Sequence, residues 1–318
     1  MKKTACVYHS RDLDGWMSAA IVKRALMKEE IPGRTSNENQ SFDFIGWDYG
    51  DYIPDLTDYS RVIMVDISFP KYAMLTLRSN LGKNFIWIDH HISAIKDLVP
   101  EDHKEPAFEG LLDTRYAACE LTWMHFFPDE NMPEIVRLLG RYDCFGHKGT
   151  SEEQKVLEFQ YGARALWSNY EQLYQELILF DKGKANRSLL VLDMGRSIYQ
   201  YLCTEAKQTY KKAFPLSLNE PIFNDHNGEL MGEKGRKFLC VNQERFNPIN
   251  FGIDYHKDGY DGFACFWLNE KGSWSFSLYN DNGEVDCSVI AKQFNGGGHK
   301  GAAGFVVVDI NKFFKYNS

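Results

Sequence analysis

The stretch from Asn84 to His91, Asn-Phe-Ile-Trp-Ile-Asp-His-His, constrains the fold of this chain more than any other. Its first five residues, Asn84 to Ile88, are rich in β-branched and aromatic types, which predicts a buried strand. The strand runs directly into Asp89, His90 and His91. Because ligands of open α/β sheets bind beyond the carboxyl ends of the strands, the stretch predicts a parallel strand with a functional site at its end.

The rest of the N-terminal half alternates between strand and helix patterns. Strands are expected at Thr4 to Tyr8, Ser41 to Trp47 and Arg61 to Asp66. Helices are expected after the first strand, ending around Ile31-Pro-Gly33, then over Arg115 to Phe127 and over Pro133 to Gly140 before Arg141-Tyr-Asp143. Alternation at this spacing implies a parallel sheet with crossover helices.

The pattern of predicted secondary structure changes in the second half of the chain. Residues 151–212 have helical spacing, with Leu189 to Lys212 as one long connecting helix. Beyond them, strands are expected at Lys237 to Val241, Gly262 to Leu268, Trp274 to Tyr279 and Phe305 to Val308, with a helix at Val289 to Phe294. We therefore expect an α/β protein with a parallel-sheet N-terminal domain (1–185), a helical linker (186–215) and a smaller mixed α/β C-terminal domain (216–318).

Composition limits the partners and the compartment. No segment approaches the ~18 to 20 apolar residues that a membrane span needs, and the N-terminal apolar run is too short for a signal peptide. The seven cysteines are scattered without a C-x-x-C pair, which favours reduced thiols and a cytoplasmic location. A net charge of −8 argues against binding to duplex nucleic acid, whereas a short polyanion remains a substrate if metal ions supply positive charge.

Polar residues of types that can bind metal ions or take part in catalysis follow several of the predicted strands and helices. They are His9, Asp12, Asp14, Asp66, Asp89, His90, His91 and Asp143. A single aspartate after a strand is usually a turn residue or a helix cap, and Asp12 and Asp14 alone could cap the helix after Gly15. So many carboxylates together would raise one another's pKa unless cations neutralised them.

The mixture of carboxylates and imidazoles predicts which cations these residues would hold. Such a donor set suits Mn²⁺, and also Fe, Co or Zn. Two ions about 3.5 to 4 Å apart can activate a water and hold a phosphoryl oxygen. Asp66, expected at the centre of the sheet, is placed to bridge two such ions.

A glycine-rich stretch near the C-terminus is the second signal. Gly296, Gly297 and Gly298 would let backbone N–H groups converge on a phosphate, and His299 could donate to a phosphate oxygen. The alternative is a glycine-rich hairpin turn. The small residues Ala302, Ala303 and Gly304 fit either close backbone packing or ligand access.

These motifs together resemble the DHH phosphoesterases that carry the associated C-terminal domain. The resemblance covers nearly the whole chain and rests on the order and spacing of five motifs. They are His9…Asp12-Leu-Asp14-Gly15, Asp66, Asp89-His90-His91, Asp143 and Gly296-Gly-Gly-His-Lys-Gly-Ala-Ala-Gly304. Known members include RecJ-type exonucleases, nano-RNases that degrade very short RNA, cyclic-dinucleotide phosphodiesterases and exopolyphosphatase-like relatives.

The resemblance implies a role for each motif. One Mn²⁺ would be held by His9, Asp12 and Asp66, and the other by Asp14, Asp66, His90 and Asp143. His91 and Asp89 would be catalytic, His91 polarising the phosphate or steadying the nucleophile and Asp89 orienting the histidines. Gly296, Gly297, Gly298 and His299 would bind the substrate from the C-terminal domain, across a cleft that the helical linker opens and closes.

Two positions depart from the family pattern. His9 stands three residues before Asp12, where the oligoribonuclease-type motif usually has four. The strand before the glycine signature carries Ser277-Leu-Tyr-Asn280 instead of Ser-x-Arg-Ser, so it lacks an arginine to clamp a phosphate, and Tyr279 could stack on a base instead.

The function expected from sequence is Mn²⁺-dependent hydrolysis of phosphoester bonds in short RNA or DNA oligonucleotides or small nucleotides, by two-metal activation of a bridging water. Alternatives are an exopolyphosphatase-like phosphohydrolase and a nucleotide-binding regulator without turnover, although the intact ligand set favours a catalyst. A RecJ-like DNA exonuclease is disfavoured by the acidic pI of about 5.6 and the chain length. The sequence is also compatible with a homodimer.

Overall fold

The computed structural model of the chain describes residues 2–28, 40–99, 108–183, 187–217, 236–244 and 246–310. The chain divides into two compact units, Met1–Ile198 and Tyr199–Ser318. Among the described residues, no helix combines the length and the apolar character required to cross a membrane.

The N-terminal unit contains a sheet of four parallel strands in the order β2-β1-β3-β4. The strands are β1 (Lys2–His9), β2 (Gln40–Trp47), β3 (Arg61–Val65) and β4 (Phe85–Ile88). All four residues of β4 are buried, as expected for a parallel strand covered on both faces. His9 pairs with Trp47, and Val65 pairs with Ile88. The residues that follow these strands therefore lie side by side at one edge.

Helices cover both faces of this sheet and build a further core beside it. They are α1 (Leu13–Lys28), α2 (Lys71–Leu81), α3 (Ile92–Leu98), α4 (Ala118–Phe126), α5 (Glu134–Asp143), α6 (Glu153–Leu166), α7 (Tyr170–Asp181) and α8 (Ser188–Tyr210). Apolar residues of α1 and of α4 to α8 form one buried cluster, and two more clusters surround the strands. The boundary between the units falls within α8.

The C-terminal unit contains a six-stranded sheet in the order β5-β6-β7-β8-β10-β9. The strands are β5 (Phe214–Ser217), β6 (Lys237–Asn242), β7 (Gly262–Leu268), β8 (Trp274–Tyr279), β9 (Gly297–His299) and β10 (Ala302–Val307). Only the β6–β7 pair among them is parallel. Helix α9 (Cys287–Lys292) contributes Ile290 to a core with Phe238, Phe276 and Phe305.

This topology confirms the predicted α/β class, with a parallel sheet in the N-terminal part and a mixed sheet in the C-terminal part. Two strands were missed. Strand β9 is made largely of glycine, which has low strand propensity. Strand β5 contains Pro215, which is tolerated because β5 lies at the edge of the sheet.

Several predicted bounds were wrong by a few residues. Asn84 closes a 3₁₀ turn before β4, and Asp143 is the last residue of α5 and does not follow it. The other shifted elements are α4, which begins at Ala118, α9, which begins at Cys287, and β10, which begins at Ala302. The region 151–212 is helical as predicted and contains α6, α7 and the long helix α8. The expected end of the first helix at Ile31-Pro-Gly33 lies outside the described residues.

Candidate metal centre

The end of β1 and the start of α1 place two predicted ligands next to each other. His9 is the last residue of β1, and its Nδ1 lies 2.9 Å from Asp12 Oδ2. The other Asp12 oxygen accepts a hydrogen bond from the Gly15 amide at 3.0 Å, as an N-cap does. Gly15 is required here because a Cβ would lie 2.1 Å from the His9 carbonyl oxygen. Asp12 therefore caps the helix and also faces His9.

Asp66 lies between two groups of predicted ligands. It follows β3 directly, is buried, and has a left-handed backbone with φ of 59°. Its amide donates to the Ile88 carbonyl at 3.0 Å, which ties it to the end of β4. Asp66 Oδ2 lies 3.4 Å from His9 Nδ1, whereas Oδ1 lies 3.3 Å from His90 Nε2. The two oxygens thus face different groups.

The second group consists of Asp14, His90 and Asp143. His90 Nε2 lies 3.2 Å from Asp143 Oδ2 and 3.6 Å from Asp14 Oδ2. Asp14 is held from across the fold by the first turn of α4, since its oxygens accept hydrogen bonds from the Cys119 amide at 2.8 Å and the Ala118 amide at 3.0 Å. Each carboxylate oxygen can accept more than one contact, so these hydrogen bonds are compatible with Asp14 as a metal ligand.

Asp89 orients the two histidines that follow it. It is fully buried, and its Oδ1 accepts hydrogen bonds from the amides of His90 at 2.7 Å and His91 at 3.2 Å. The same oxygen lies 2.7 Å from His91 Nδ1. One carboxylate oxygen therefore fixes both the backbone and the ring of His91.

Mutual electrostatics perturb several of these groups. Burial alone would lower the pKa of His9 and of His90, but neighbouring carboxylates outweigh it and raise both pKa values. Burial, followed by the charges of Asp66 and Asp143, raises the pKa of Asp14 well above its usual range. Burial would also raise the pKa of Asp66, but the contacts with the imidazoles of His9 and His90 lower it overall. The cluster therefore favours bound positive charge.

The donor set fits divalent cations. Ligand atoms of His9, Asp12 and Asp66 lie within 4.8 Å of one another, as do those of Asp14, His90 and Asp143. Asp66 Oδ1 and Asp89 Oδ2 are buried and accept no well-directed hydrogen bond from the described residues. Buried carboxylate oxygens without donors are costly unless a cation compensates them. Mixed oxygen and nitrogen donors suit Mn²⁺ or a similar transition metal.

The structure thus brings together all eight residues predicted at strand and helix ends. The predicted phosphate-binding residues lie in the C-terminal unit, where Gly297 to His299 form β9. A Cβ at Gly296 would lie 2.1 Å from the Gly304 carbonyl oxygen, and Gly298 has φ of 137°. These two glycines are therefore explained by close hairpin packing. Gly297 has no atom within 4 Å of such a Cβ, so the fold does not require glycine there.

Sequence reasoning missed two charged residues near the centre. Asp48 follows β2, and its Oδ1 lies 3.4 Å from His9 Nε2 while Oδ2 lies 2.6 Å from Arg11 Nε. Asp48 follows a strand directly, as Asp66 does. The same pattern could therefore have identified Asp48 as a candidate site residue. Arg164 on α6, whose charge acts on Asp12, carries no comparable motif. Its guanidinium lies 5.3 Å from the Tyr142 ring centre.

Comparisons with known proteins give relatives of limited identity. The chain is 28% identical over 255 residues to "Uncharacterized protein R106" of Acanthamoeba polyphaga mimivirus, which covers 79% of this chain and 54% of that protein. The chain thus spans about half the length of this curated relative.

Three solved structures are similar over most of their length. A pGpG-specific phosphodiesterase, PggH, from Vibrio cholerae has a TM-score of 0.46 and 12% identity, covering 98% of this chain and 95% of that one. Exonuclease RecJ bound to manganese has a TM-score of 0.45 and 13% identity, and the match covers 96% of this chain and 86% of that one. An exopolyphosphatase-related protein from Bacteroides fragilis has a TM-score of 0.40 and 13% identity, and the match again covers 96% of this chain and 86% of that one.

A family comparison matches the N-terminal part of the chain. The match includes most of β1, all of β2 to β4, Asp66 and the Asp89-His90-His91 stretch, and it ends three residues before Asp143. Over residues 4–140 the chain is similar to the DHH family, N-terminal domain.

Proposed function

We propose that this chain is a phosphoesterase of the DHH family that uses two divalent cations, most simply Mn²⁺, to hydrolyse phosphoester bonds in short oligonucleotides or small nucleotides. One observation carries the proposal. The two oxygens of buried Asp66 face two separate groups of ligands, with His9 Nδ1 at 3.4 Å and His90 Nε2 at 3.3 Å. A carboxylate in this position suits a bridge between two ions.

The two groups would hold one ion each. His9, Asp12 and Asp66 would bind the first, and Asp14, Asp66, His90 and Asp143 the second. Bound there, the pair of ions would supply Lewis-acid stabilisation of a phosphoryl oxygen and lower the pKa of a water. The chain's own contribution is to hold its carboxylates and imidazoles in place through the α4 amides on Asp14 and the Asp89 carboxylate on His91.

His91 has the properties of a group that contacts the phosphate. Burial alone would lower its pKa, but the charge and hydrogen bond of Asp89 raise it overall. A protonated imidazole held through Nδ1 by Asp89 can donate from Nε2 to a phosphate oxygen. Asp89 then acts as a positioning residue, because its Oδ1 is engaged by His90 and His91.

The C-terminal unit would bind the rest of the substrate. Gly297 is the one glycine of the Gly296–Gly298 run that packing does not explain, and it precedes His299 by two residues. The open space beside the Gly297 backbone, together with the imidazole of His299, would accommodate a terminal phosphate. Asn280, in the Ser277–Asn280 stretch that lacks the family's arginine, is buried and donates to the Asp261 carbonyl, so it supports the fold.

The substrate class can be tested with 5′-labelled RNA of two to twenty-four nucleotides, incubated with Mn²⁺ or with EDTA. We expect Mn²⁺-dependent cleavage of the shortest species, because the net charge of −8 disfavours the binding of long polyanions. Processive loss of long strands would contradict the assignment to short substrates. Release of phosphate from polyphosphate without cleavage of any RNA would favour the exopolyphosphatase-like alternative.

Location and assembly stay predictions. All seven cysteines are free, which is compatible with the predicted reducing cytoplasm. The homodimer is likewise a prediction that sedimentation of the purified protein would test.

A further inference from the structure

A cavity of about 460 Å³ adjoins the candidate metal centre within the N-terminal unit. It lies between the loop that follows β2 and the segment that leads into α2, and its lining includes Tyr49 and Ser68. The ring centroid of Tyr49 lies 6.5 Å from that of His9, and Ser68 stands two residues after Asp66. One substrate molecule can therefore reach both the cavity and the candidate ligands.

The lining of this cavity is mainly aromatic. Trp47 and Phe69 are buried and pack edge to face, with ring centroids 4.9 Å apart. Tyr52 and Tyr72 also line the cavity, but their residues are 100% and 69% exposed. Exposed aromatic faces around a concave site favour a planar ligand that stacks on them.

The loop after β2, which carries Tyr49 and Tyr52, is held by its own hydrogen bonds. The Asp51 amide donates to the Asp48 carbonyl at 3.0 Å, and the Asp48 amide donates to Asp51 Oδ2 at 3.1 Å. The Trp47 indole donates to the Tyr52 carbonyl at 3.2 Å. A platform fixed before binding loses less conformational entropy when a ligand stacks on it.

The charges of the lining exclude a phosphate and favour a neutral base. The lining residues that the structure describes include no lysine, arginine or histidine, and their charged member is Asp51. A second cavity of about 390 Å³ shares Ile53, Phe69 and Tyr72 with the first, and its charged member is Asp55. Carboxylates repel phosphate but accept hydrogen bonds from the exocyclic amino groups of bases.

We propose that the cavity bounded by Tyr49, Tyr52 and Tyr72 binds a nucleobase of the substrate whose scissile phosphate lies at the metal centre. This inference rests on the proposed function, since it assigns the base-recognition part of the same substrate. It places base binding on the N-terminal unit, through stacking on Tyr52 and Tyr72.

The first test compares variants on a dinucleotide and on an abasic analogue that has the same phosphodiester but lacks one base. Tyr52→Ala and Tyr72→Ala should each raise KM for the dinucleotide by about 5- to 100-fold, the range expected for one lost base stack. The values of kcat, bound metal and KM for the abasic analogue should stay near those of the wild type. Tyr72→Phe should restore the wild-type KM because it keeps the ring.

Leu75→Ala is the matched control. Leu75 is on α2 with Tyr72 and is 40% exposed, but it lines neither cavity. It should leave KM unchanged for both substrates. An equal rise in KM for the dinucleotide and the abasic analogue in the tyrosine variants, or a rise of the same size in Leu75→Ala, would overturn the proposal.

A second measurement separates this inference from the proposed function. Saturation-transfer NMR with adenosine, guanosine and ribose detects base binding without hydrolysis. Nucleoside signals that are present in the wild type, absent for ribose and lost in Tyr52→Ala and Tyr72→Ala support the base site even if no phosphoester is cleaved. Absence of nucleoside signals in the wild type would overturn the base site even if phosphoester cleavage were confirmed.

Discussion

Asp66 has the backbone conformation that lets one carboxylate face two ligand groups. Its φ of 59° is unusual for a residue other than glycine, although aspartate tolerates the left-handed region better than most. Such a conformation costs about 1–3 kcal/mol and persists only where the surrounding structure fixes it. Here the amide hydrogen bond to Ile88 fixes it, so the sheet itself offsets the strain at the proposed bridge.

Metal affinity should depend on pH in a definite direction. The pKa values of His9 and His90 are raised by neighbouring carboxylates, and that of Asp14 by burial, so a cation must displace protons that are held more tightly than usual. Mn²⁺ affinity should therefore rise between about pH 6.5 and 8.5, with net proton release. Calorimetry in two buffers of different ionisation enthalpy measures this release, and an affinity independent of pH would contradict the ligand set.

The sequence predicted the residues of this centre better than their supporting contacts. Asp66, Asp89 and His90 follow apolar runs, and a strand end is visible in a local pattern. The left-handed turn at Asp66 and the capping of Asp14 by α4 depend on contacts between distant segments, which no local pattern contains.

Helix α4 connects the candidate centre to the helical core. Its first-turn amides at Ala118 and Cys119 bind both oxygens of Asp14, and this orients the carboxylate toward His90. Partially positive helix N-termini also stabilise a carboxylate. The same helix is braced by Glu120, which accepts a hydrogen bond from the Ala117 amide and pairs with Arg141.

Ala118→Pro tests this positioning role. Ala118 is the first residue of α4 and Ala117 is extended, so proline fits the backbone but removes the amide that donates to Asp14. We expect Mn²⁺ affinity at one of the two sites to fall by about 10- to 100-fold with little change in helix content. Titration calorimetry and circular dichroism measure the two effects.

Glu134→Pro provides the control for the Ala118→Pro variant. Glu134 is the first residue of α5, follows an extended Pro133, and is exposed. It introduces proline at an equivalent place in a neighbouring helix and should leave metal affinity unchanged. Unchanged affinity in Ala118→Pro, or an equal loss in Glu134→Pro, would show that the α4 amide does not position Asp14.

The glycine-rich stretch shows where an element could not be predicted from its residues. Three glycines favour a turn or an anion site by local propensity, yet Gly297 to His299 form a strand because β10 offers an antiparallel partner. The two readings of the stretch apply to different positions. Hairpin packing explains Gly296 and Gly298, and we propose that the open space at Gly297 admits a ligand.

In the molecule as a whole, the proposed metal ligands and the proposed phosphate-binding residues belong to different units. The N-terminal unit, Met1–Ile198, contains every proposed metal ligand and the proposed base cavity. The C-terminal unit, Tyr199–Ser318, contributes Gly297 and His299, which we propose bind substrate. Metal binding and substrate binding should therefore be separable by mutation.

The most direct measurement determines Mn²⁺ content per chain together with turnover of a 5′-labelled dinucleotide, for wild type, Asp66→Ala, His90→Ala and His299→Ala. We expect two ions in the wild type and activity that EDTA abolishes. Asp66→Ala and His90→Ala should lose bound metal and turnover, whereas His299→Ala should keep both ions and lose only kcat/KM. Full activity in Asp66→Ala or His90→Ala, or wild-type cleavage that persists in EDTA, would contradict the two-metal phosphoesterase.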